Sequence, residues 1–426
     1  MDGAEGSLRS AVAMAEMGLQ SLRSEHDRLT WDRETSTAYR ALVQLKLRRQ
    51  DGLGALETWE WYRGAALRQG TRDPQPGPSQ PQLTMVSNLL PFLTEFTVVS
   101  YGLLPEGLAI WAYDSRGVTA KLVLRDPKEI ERLARRFREL CADQSSDLSS
   151  LHREGKKLYD LLIAPIAEGL PEGRPLMIEA DQALADVPLE VLQDPRHRYL
   201  IDLHEMVWSP GLYFAARLRP SFAFKPRLRT LVVGVSGAAA RSPDSAPPVE
   251  DAIREAEIVA SKISGARLLV ASNATLGKVE SELPHAVIFH FAGHAFSGLE
   301  GTGLPLARDA SGNPAILTAA ALNALRLRTR LAVLAGCSTE KGINGSVFDD
   351  NSMARAFLRA GTPHVVASRW NVDSKLTADF TGAFYDRLLS GNRVSDALRV
   401  AAAQVRADPA RAHPFYWAAF KAFGRR

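Results

Sequence analysis

The stretches AVIFHFAGHAFSG (residues 286–298) and LAVLAGCST (residues 331–339) have the same layout. Each begins with an apolar run of strand length, reaches Ala-Gly, and continues directly into a reactive side chain, His294 or Cys337. Near-continuous apolar strands are typical of parallel sheets that are covered by helices on both faces. The two stretches therefore predict strands of an α/β fold whose carboxyl ends meet at one edge of the sheet.

The sequence around these stretches alternates strands with helices. RTLVVGV, ARLLV and HVVASRW are further candidates for buried strands, and VEDAIREAEIVASKI has the apolar spacing of a helix. HPFYWAAFKAF, residues 413–423, is expected to be a strand that closes the sheet, with His413 in a structural hydrogen bond. This alternation predicts a mostly parallel α/β sheet over residues 221–426.

Residues 1–70 have the apolar spacing of helices. Leucines before the glycine-containing turn Gly52–Gly54, and aromatic residues such as Trp59 after it, recur at roughly helical intervals. The resulting pair of antiparallel helices resembles a tetratricopeptide-type unit. One pair cannot bury both of its faces, so we expect it to pack on the next domain, on a partner protein or on further repeats.

Residues 83–220 form a separate region, preceded by the segment TRDPQPGPSQPQ (71–82), whose proline, glutamine and glycine content is typical of a linker. Three strand candidates open the region and are joined by short turns, which predicts an antiparallel meander. They are FTVVSYGLL, LAIWAYD and TAKLVLR. One long helical stretch over 127–168 and a short buried strand in LMIEAD (176–181) follow.

The composition limits the classes of function. The 52 Lys and Arg residues nearly balance the 48 Asp and Glu residues, and they form no basic run of the kind that follows a nucleic-acid backbone. The two cysteines, Cys141 and Cys337, are too few for a disulfide framework and indicate a reducing compartment. The sequence has no signal-peptide layout and no apolar run of about 20 residues. We therefore expect a cytoplasmic protein without nucleic-acid or membrane partners, and we assign no role to Cys141.

A metal site is the first alternative, because His290 and His294 are four residues apart. That spacing places two side chains on one face of a helix, whereas these residues belong to a strand and the turn after it. No further ligand stands at a suitable spacing, so we expect no metal. His290 alternates with Phe289 and Phe291, which predicts a buried histidine with a satisfied hydrogen bond.

A nucleotide site is the second alternative, because glycines follow a strand in LVVGVSGAAARS (231–242). The glycine order of G-x-G-x-x-G is absent, a proline-rich segment comes before the helix, and the G-x-x-x-x-G-K-[ST] motif does not occur. We therefore expect no nucleotide and no other cofactor.

Nucleophilic catalysis is the third alternative and fits the two strand ends best. A thiol needs a base within hydrogen-bond reach to form thiolate near neutral pH, and imidazole has a suitable pKa. The 43 residues from His294 to Cys337 (337 minus 294) are enough for a crossover between neighbouring parallel strands. The amides of Ala295 and Cys337 would then face the oxyanion that develops on a substrate carbonyl. A cysteine at a strand end is otherwise more often buried and inert.

The order of these motifs, histidine first and each after Ala-Gly, resembles the caspase-type cysteine peptidases, which include separases and gingipains. Within that group the sequence is similar to the CHAT family, caspase-like domains that are often attached to tetratricopeptide repeats. The similarity covers roughly residues 85–424. It is carried in order by LMIEADQALADVPLEVL, HFAGHAFSG, LAVLAGCSTEKG, SMARAFLRAGTPHVVASRWNVD and HPFYWAAFKAFG.

The resemblance implies a caspase-like tandem, with an inactive half at 83–220 and a catalytic half at 221–426. It implies a protease without metal or nucleotide, in which Cys337 is the nucleophile and His294 is the base and general acid. Bacterial members often serve as regulated proteases in defence or programmed-death systems and are held inactive until a partner triggers them. The implied partners are a protein substrate and an activating protein that binds the helices of residues 1–70.

The segment SRWNVDSK (368–375) bears on substrate specificity. In arginine-specific relatives an acidic residue near the tryptophan binds a basic substrate side chain, and here Asp373 stands three residues after Trp370. The position four after Trp370, acidic in separases, is Ser374. These three residues are the candidates for substrate binding. Alternatively, Asp373 caps the helix that follows it.

The sequence departs from the family pattern at two places beside the candidate dyad. Ala295 stands where the family usually has glycine, and alanine keeps the amide but disfavours positive φ. The run STEKG after Cys337 replaces a more usual E-T-G-like run. The alternative function is therefore a catalytically degenerate CHAT-type scaffold that acts as a protein-interaction module, and a third possibility is a latent enzyme that needs an activator.

Overall fold

The computed structural model describes most of the chain: residues 2–22, 25–65, 85–212, 223–225, 227–236, 251–298, 301–309, 311–313, 315–336, 352–370 and 374–424. These residues form two compact units. The first comprises the described residues up to 140 and from 147 to 212, and the second comprises residues 141–146 and those from 223 onward. The linker predicted at 71–82 and the predicted boundary at 220 lie outside the described residues. No helix within these ranges is both long and apolar enough to span a membrane.

Three helices open the first unit: α1 Asp2–Leu19, α2 Glu25–Arg48 and α3 Gly52–Arg63. The turn between α2 and α3 ends at Asp51, whose amide donates to the carbonyl of Lys46 (2.9 Å) while Gln50 takes a left-handed φ of 63°. The carboxylate of Asp51 accepts a hydrogen bond from the amide of Gly54 (2.9 Å) and caps α3. The glycines that were expected in the turn therefore belong to the first turn of α3.

The rest of the first unit is a five-stranded sheet with further helices. The sheet order is β3-β2-β1-β4-β5; β1 to β3 form the predicted antiparallel meander, and β1, β4 and β5 run parallel. The elements are α4 Met85–Leu89, β1 Thr97–Leu104, β2 Gly107–Asp114, β3 Gly117–Leu124, α5 Pro127–Ala142, α6 Leu148–Leu162, β4 Leu176–Glu179, α7 Leu200–Leu203 and β5 Met206–Trp208.

The predicted single helical stretch over 127–168 is two helices, α5 and α6, followed by a 3₁₀ turn. The break comes at Asp143 and Asp147, because short polar side chains there bind nearby backbone or hydroxyl groups. Asp143 accepts hydrogen bonds from both the amide (2.9 Å) and the hydroxyl (2.7 Å) of Ser145, and Asp147 caps α6 through the amide of Ser150 (2.9 Å).

The N-terminal helices pack on the meander of the first unit. Trp59 of α3 is fully buried and stacks on Trp111 of β2, with ring centroids 6.3 Å apart. A Cβ at Gly102 of β1 would lie 2.9 Å from the Trp59 ring, so the absence of a side chain there lets the helix approach the sheet. The sequence predicts that this helix pair packs on the next domain, on a partner protein or on further repeats. In the described residues it packs on the next domain.

The second unit is a six-stranded sheet of order β14-β13-β12-β8-β6-β7. All neighbouring strands run parallel except β13 and β14. The strands are β6 Thr230–Gly234, β7 Arg267–Val270, β8 Ile288–Gly293, β9 Phe296–Gly298, β10 Gly301–Leu306, β11 Ala315–Thr318, β12 Leu331–Gly336, β13 His364–Ser368 and β14 Phe420–Gly424. The helices are α8 Asp251–Lys262, α9 Leu276–Glu282, α10 Ala319–Ala324, α11 Met353–Arg359, α12 Ser374–Leu389, α13 Val394–Arg406 and α14 Pro414–Trp417.

Helices cover both faces of this second sheet, which confirms the predicted α/β class. On one face Phe289 of β8 stacks on Phe357 of α11, with centroids 5.4 Å apart. On the other face His290 of β8 meets Tyr385 of α12. Alternation along β8 thus places successive side chains in two different helical layers.

Three details of the second unit differ from expectation. ARLLV forms β7, but it is an edge strand and only Leu269 in it is buried, because an apolar run does not reveal whether it has neighbours on both sides. HPFYWAAFKAF contains the short helix α14 before its strand β14, since Pro414 begins a helical turn that His413 caps. The crossover from β8 to β12 carries the small antiparallel sheet β9–β11 as well as α10.

Candidate functional site

The candidate site is built on the carboxyl ends of β8 and β12. The two strands are adjacent and parallel, and Gly293 of β8 is paired in register with Gly336 of β12. This confirms the predicted crossover between neighbouring parallel strands. His294, which follows Gly293, is partly buried. Cys337, which follows Gly336 in the sequence, lies outside the described residues.

Gly293 lets the end of β8 lie directly against the end of β6. The amide of Val235 donates to the carbonyl of Ala292 (3.0 Å), which extends the pairing of the two strands by one bond. A Cβ at Gly293 would lie 2.9 Å from the Val235 carbonyl oxygen and 3.1 Å from the Phe291 ring. Glycine at this position therefore sets where His294 leaves the sheet.

Ala295, the position where the family usually has glycine, is partly buried and packs against the apolar core of the second unit. The non-glycine residues with positive φ in the described chain are Gln50, His197 and Ala271. Ala295 thus has an ordinary negative φ, and its backbone conformation does not require glycine.

The end of β13 also borders the site, which the sequence did not reveal. The hydroxyl of Ser368 donates to the carbonyl of Gly336, the last residue of β12. The following amide, that of Arg369, donates to the carbonyl of Ala419 (2.7 Å) and so turns away from β12. A serine as the last residue of a strand next to the β12 strand is the one sequence signal that could have identified Ser368.

The structure describes the three residues predicted for substrate binding to different extents. Trp370 is 5% exposed, and its indole nitrogen donates to the carbonyl of Phe415 (3.1 Å). Ser374 begins α12, but its side chain is not described. Asp373 lies outside the described residues. The start of α12 at Ser374 agrees with both predictions for Asp373, a substrate contact and a helix cap.

His290 is buried in the core, as predicted, and is separate from His294. Its Nδ1 lies 3.3 Å from the Tyr385 hydroxyl, and its Nε2 lies 3.3 Å from Glu255 Oε1. Burial raises the pKa of Glu255, an effect that the neighbouring imidazole opposes. The two histidines of HFAGH therefore have different surroundings: one is enclosed by α8 and α12, and the other is at the strand end.

The remaining candidate groups stand apart from this strand end. His413 caps α14 by accepting from the amide of Phe415 (3.1 Å), and its Nε2 lies 3.0 Å from the Ser146 hydroxyl, which confirms the structural hydrogen bond expected for it. Cys141 is fully buried. Within the described ranges, no three His, Cys, Asp or Glu side chains come together as metal ligands would.

The known proteins that are similar to this chain include two relatives and one solved structure. The tetratricopeptide repeat protein 28 of Mus musculus and that of Homo sapiens are each 30% identical over 326 residues. Each match covers 63% of this chain and 13% of the relative, so the chain spans about an eighth of these relatives' length. A crystal structure of the Saccharomyces cerevisiae separase–securin complex superimposes with a TM-score of 0.55 at 10% identity, covering 99% of this chain and 37% of that chain. This likeness shows the fold.

The family model of the CHAT domain matches residues 152–425, well over half of the 426 residues. The match takes in the ends of both β8 and β12. The chain therefore belongs to the CHAT domain family.

Proposed function

We propose that this chain is a cysteine endopeptidase that cleaves a protein partner with a dyad of His294 and Cys337. The observation that carries the proposal is the register of Gly293 with Gly336 on adjacent parallel strands. His294 directly follows Gly293 in the sequence, and Cys337 directly follows Gly336. The base and the nucleophile therefore come directly after residues at the same level of the sheet. Neighbouring strands are about 4.8 Å apart. At this spacing of the backbones, an imidazole after one strand and a thiol after the next can form a hydrogen bond.

The proposed reaction follows from these two groups. His294 takes the thiol proton, and the Cys337 sulfur attacks the peptide carbonyl carbon while the carbonyl electrons move to oxygen. The amides of Ala295 and Cys337 stabilise that oxyanion. His294 then gives its proton to the leaving amine as the C–N bond breaks, and water, deprotonated by the same imidazole, hydrolyses the thioester.

A protein partner is part of the proposal. The separase that shares this fold was crystallised in complex with securin. The resemblance to regulated bacterial defence and programmed-death proteases supports the same kind of control here. The α1–α3 helices are the surface that we propose for an activating partner.

Labelling with iodoacetamide tests the dyad directly. Cys337 of the wild type is expected to react at neutral pH, and the reaction is expected to be lost in Cys337→Ala and strongly reduced in His294→Ala. Cys141→Ala is the matched control, since this cysteine is fully buried and its removal leaves the label unchanged. Equal labelling of wild type and His294→Ala would contradict the dyad.

A comparison of cleavage in a whole proteome tests the activity. Wild-type chain is expected to produce new peptide ends that the Cys337→Ala chain does not, and adding a cognate activator raises their number if the enzyme is latent. The scaffold alternative predicts a different result. In that case the chain binds partners through α1–α3, but it neither reacts with iodoacetamide nor cleaves proteins, with or without the activator.

Asp373 supplies the proposal for specificity. An acid after Trp370 is suited to bind a basic substrate side chain, so peptides with Arg before the cleaved bond are expected to be cut faster than those with Leu or Met. Asp373→Asn is expected to remove the preference for Arg. Equal cleavage of the three peptides by the wild type would leave Asp373 with the role of helix cap alone.

A further inference from the structure

The hydrogen-bond ladder on the two sides of β12 ends at different points. Toward β8 the pairing continues to Gly336 with Gly293, whereas toward β13 it ends two residues earlier, at Leu334 with Ala367. The reason is that β13 ends at Ser368, one residue before the position that would pair with Gly336. The final carbonyl of β12 is therefore left without a backbone donor from β13.

The Ser368 side chain supplies the missing donor. Its hydroxyl donates to the Gly336 carbonyl, and the serine is only 4% exposed. A buried carbonyl without a donor would cost about 1–3 kcal/mol, so this hydrogen bond stabilises the end of β12. The carbonyl it binds belongs to the peptide unit that joins Gly336 to Cys337.

We propose that Ser368 is a positioning residue that orients this peptide unit, so that the Cys337 amide points toward the oxyanion on the β8 side. A peptide unit is planar and trans, so its N–H and C=O point in opposite directions. Since β12 lies between β13 and β8, fixing the Gly336 carbonyl toward β13 fixes the Cys337 N–H toward β8. This inference rests on the proposed function of the dyad, and it assigns Ser368 a task that His294 does not share.

Two reactions of the Cys337 thiolate distinguish the orienting role of Ser368 from the activation of the thiol by His294. Iodoacetamide forms an S–C bond with loss of iodide, and no negative charge develops on a carbonyl oxygen. The ester p-nitrophenyl acetate is attacked at its carbonyl carbon, its oxygen carries negative charge in the tetrahedral intermediate, and p-nitrophenolate leaves with the C–O electron pair. The first reaction reports the thiolate, and the second reports the thiolate and the oxyanion donor together.

The test uses the full chain and measures both rates at Cys337, with the Cys337→Ala chain as the background. In Ser368→Ala we expect acylation by p-nitrophenyl acetate to fall about 10- to 100-fold, somewhat less than the loss of a whole oxyanion donor. Alkylation by iodoacetamide is expected to stay within about twofold, because the His294–Cys337 pair is intact. Ser209→Ala is the matched control: it removes a buried serine hydroxyl that donates to the Gly211 carbonyl (3.0 Å) in the first unit.

A second pair of variants keeps the test valid if Ser368→Ala does not fold. Ser368→Thr and Ser368→Val have the same shape and differ in the hydroxyl, so any packing cost is shared. Acylation is expected to be at least tenfold faster in the threonine variant, with equal alkylation. Unchanged acylation in the variants that lack the hydroxyl, or an equal loss of both reactions, overturns the role of Ser368. A wild-type Cys337 that iodoacetamide labels neither in the chain alone nor in the presence of the activator refutes the proposed dyad itself.

Discussion

The imidazole Nε2 of His290 lies 3.3 Å from Glu255 Oε1, and both side chains are inside the core of the second unit. Tyr385 approaches the other ring nitrogen at 3.3 Å. Side chains of two helices, α8 and α12, and of the strand β8 thus meet at one buried polar group. Burying a charge is costly unless it is paired, so the protonation of Glu255 is linked to folding.

We predict that Glu255 makes the second unit less stable as the pH rises. Burial raises the pKa of Glu255, which His290 and Thr381 oppose, so the native state holds this proton where the unfolded chain has lost it. The stability that comes from protonated Glu255 is therefore fully present below a pH of about 4.5. It is lost as the pH rises through the native pKa of this carboxyl group. Glu255→Gln keeps the shape without the titration, so its stability relative to wild type is expected to increase with pH.

Urea unfolding of the full chain between pH 4 and pH 8 measures this difference. Glu257→Gln is the control, because Glu257 lies two residues further along the same helix and is exposed. A Glu255→Gln chain whose stability changes with pH in parallel with the wild type would show that Glu255 does not titrate in this range.

We predict that Gly293→Ala impairs both folding and the candidate site. The new Cβ would lie 2.9 Å from the Val235 carbonyl oxygen, so β8 and β6 must separate locally. Overpacking of this kind typically costs about 1–3 kcal/mol, measured as a lower melting temperature. Because His294 is the next residue, iodoacetamide labelling of Cys337 is expected to slow as well.

Gly277→Ala is the control for that substitution. Gly277 is an exposed helical position where a Cβ meets nothing within 4 Å, so alanine there should be neutral or stabilise by about 0.5–1 kcal/mol. If Gly293→Ala and Gly277→Ala had equal stability and equal thiol labelling, the close approach of β8 to β6 would not position His294.

The strands of the site could be predicted from sequence because they are buried on both faces. The apolar runs before His294 and Cys337 indicated two strands, and the similar Ala-Gly endings indicated that their ends are equivalent. The length between them then allowed a parallel crossover. Local sequence carried all of this information, since burial on both faces leaves a continuous apolar run.

The contribution of Ser368 could not be predicted in this way. Its hydrogen bond to Gly336 depends on the register of β13 with β12, a strand that ends 32 residues earlier in the chain. The packing of Trp59 against Gly102 is likewise a contact between distant segments. The cap at Asp51 is different, because an Asp three residues before a helical glycine is a local signal that predicts where α3 begins.

We predict that the N-terminal helices are part of the stability of the first unit. Trp59 is fully buried against the sheet, so Trp59→Ala is expected to cost about 3–5 kcal/mol. Chemical denaturation, followed by far-UV circular dichroism, measures the loss. Trp61→Ala is the matched control, since Trp61 is only partly buried and a smaller loss is expected. Equal losses in the two variants would contradict the packing of α3 on the meander.

We predict that Asp114 contributes to stability at neutral pH and not in acid. Although burial alone would raise it, hydrogen bonds from Arg116 and Thr97 lower the pKa of Asp114 to about 2. The Thr97 hydroxyl donates at 2.6 Å, Arg116 Nη2 at 2.7 Å, and Arg174 Nε lies 3.3 Å away. The native pKa is below the unfolded value of about 3.9, so this stability is present above pH 4 and is lost as the pH falls toward 2.

Asp114→Asn is therefore expected to destabilise the chain at pH 7, by about 1.5–3 kcal/mol for a lost charged hydrogen-bond acceptor, and the difference from wild type is expected to shrink below pH 4. Thermal unfolding between pH 2 and pH 7 measures it. Asp160→Asn is the control, because Asp160 pairs with Lys156 at 2.8 Å on the exposed surface, where ion pairs contribute little. If the Asp114→Asn deficit were the same at pH 2.5 as at pH 7, the carboxylate charge would not be the stabilising group, and the loss would reflect altered packing around Thr97 and Arg174.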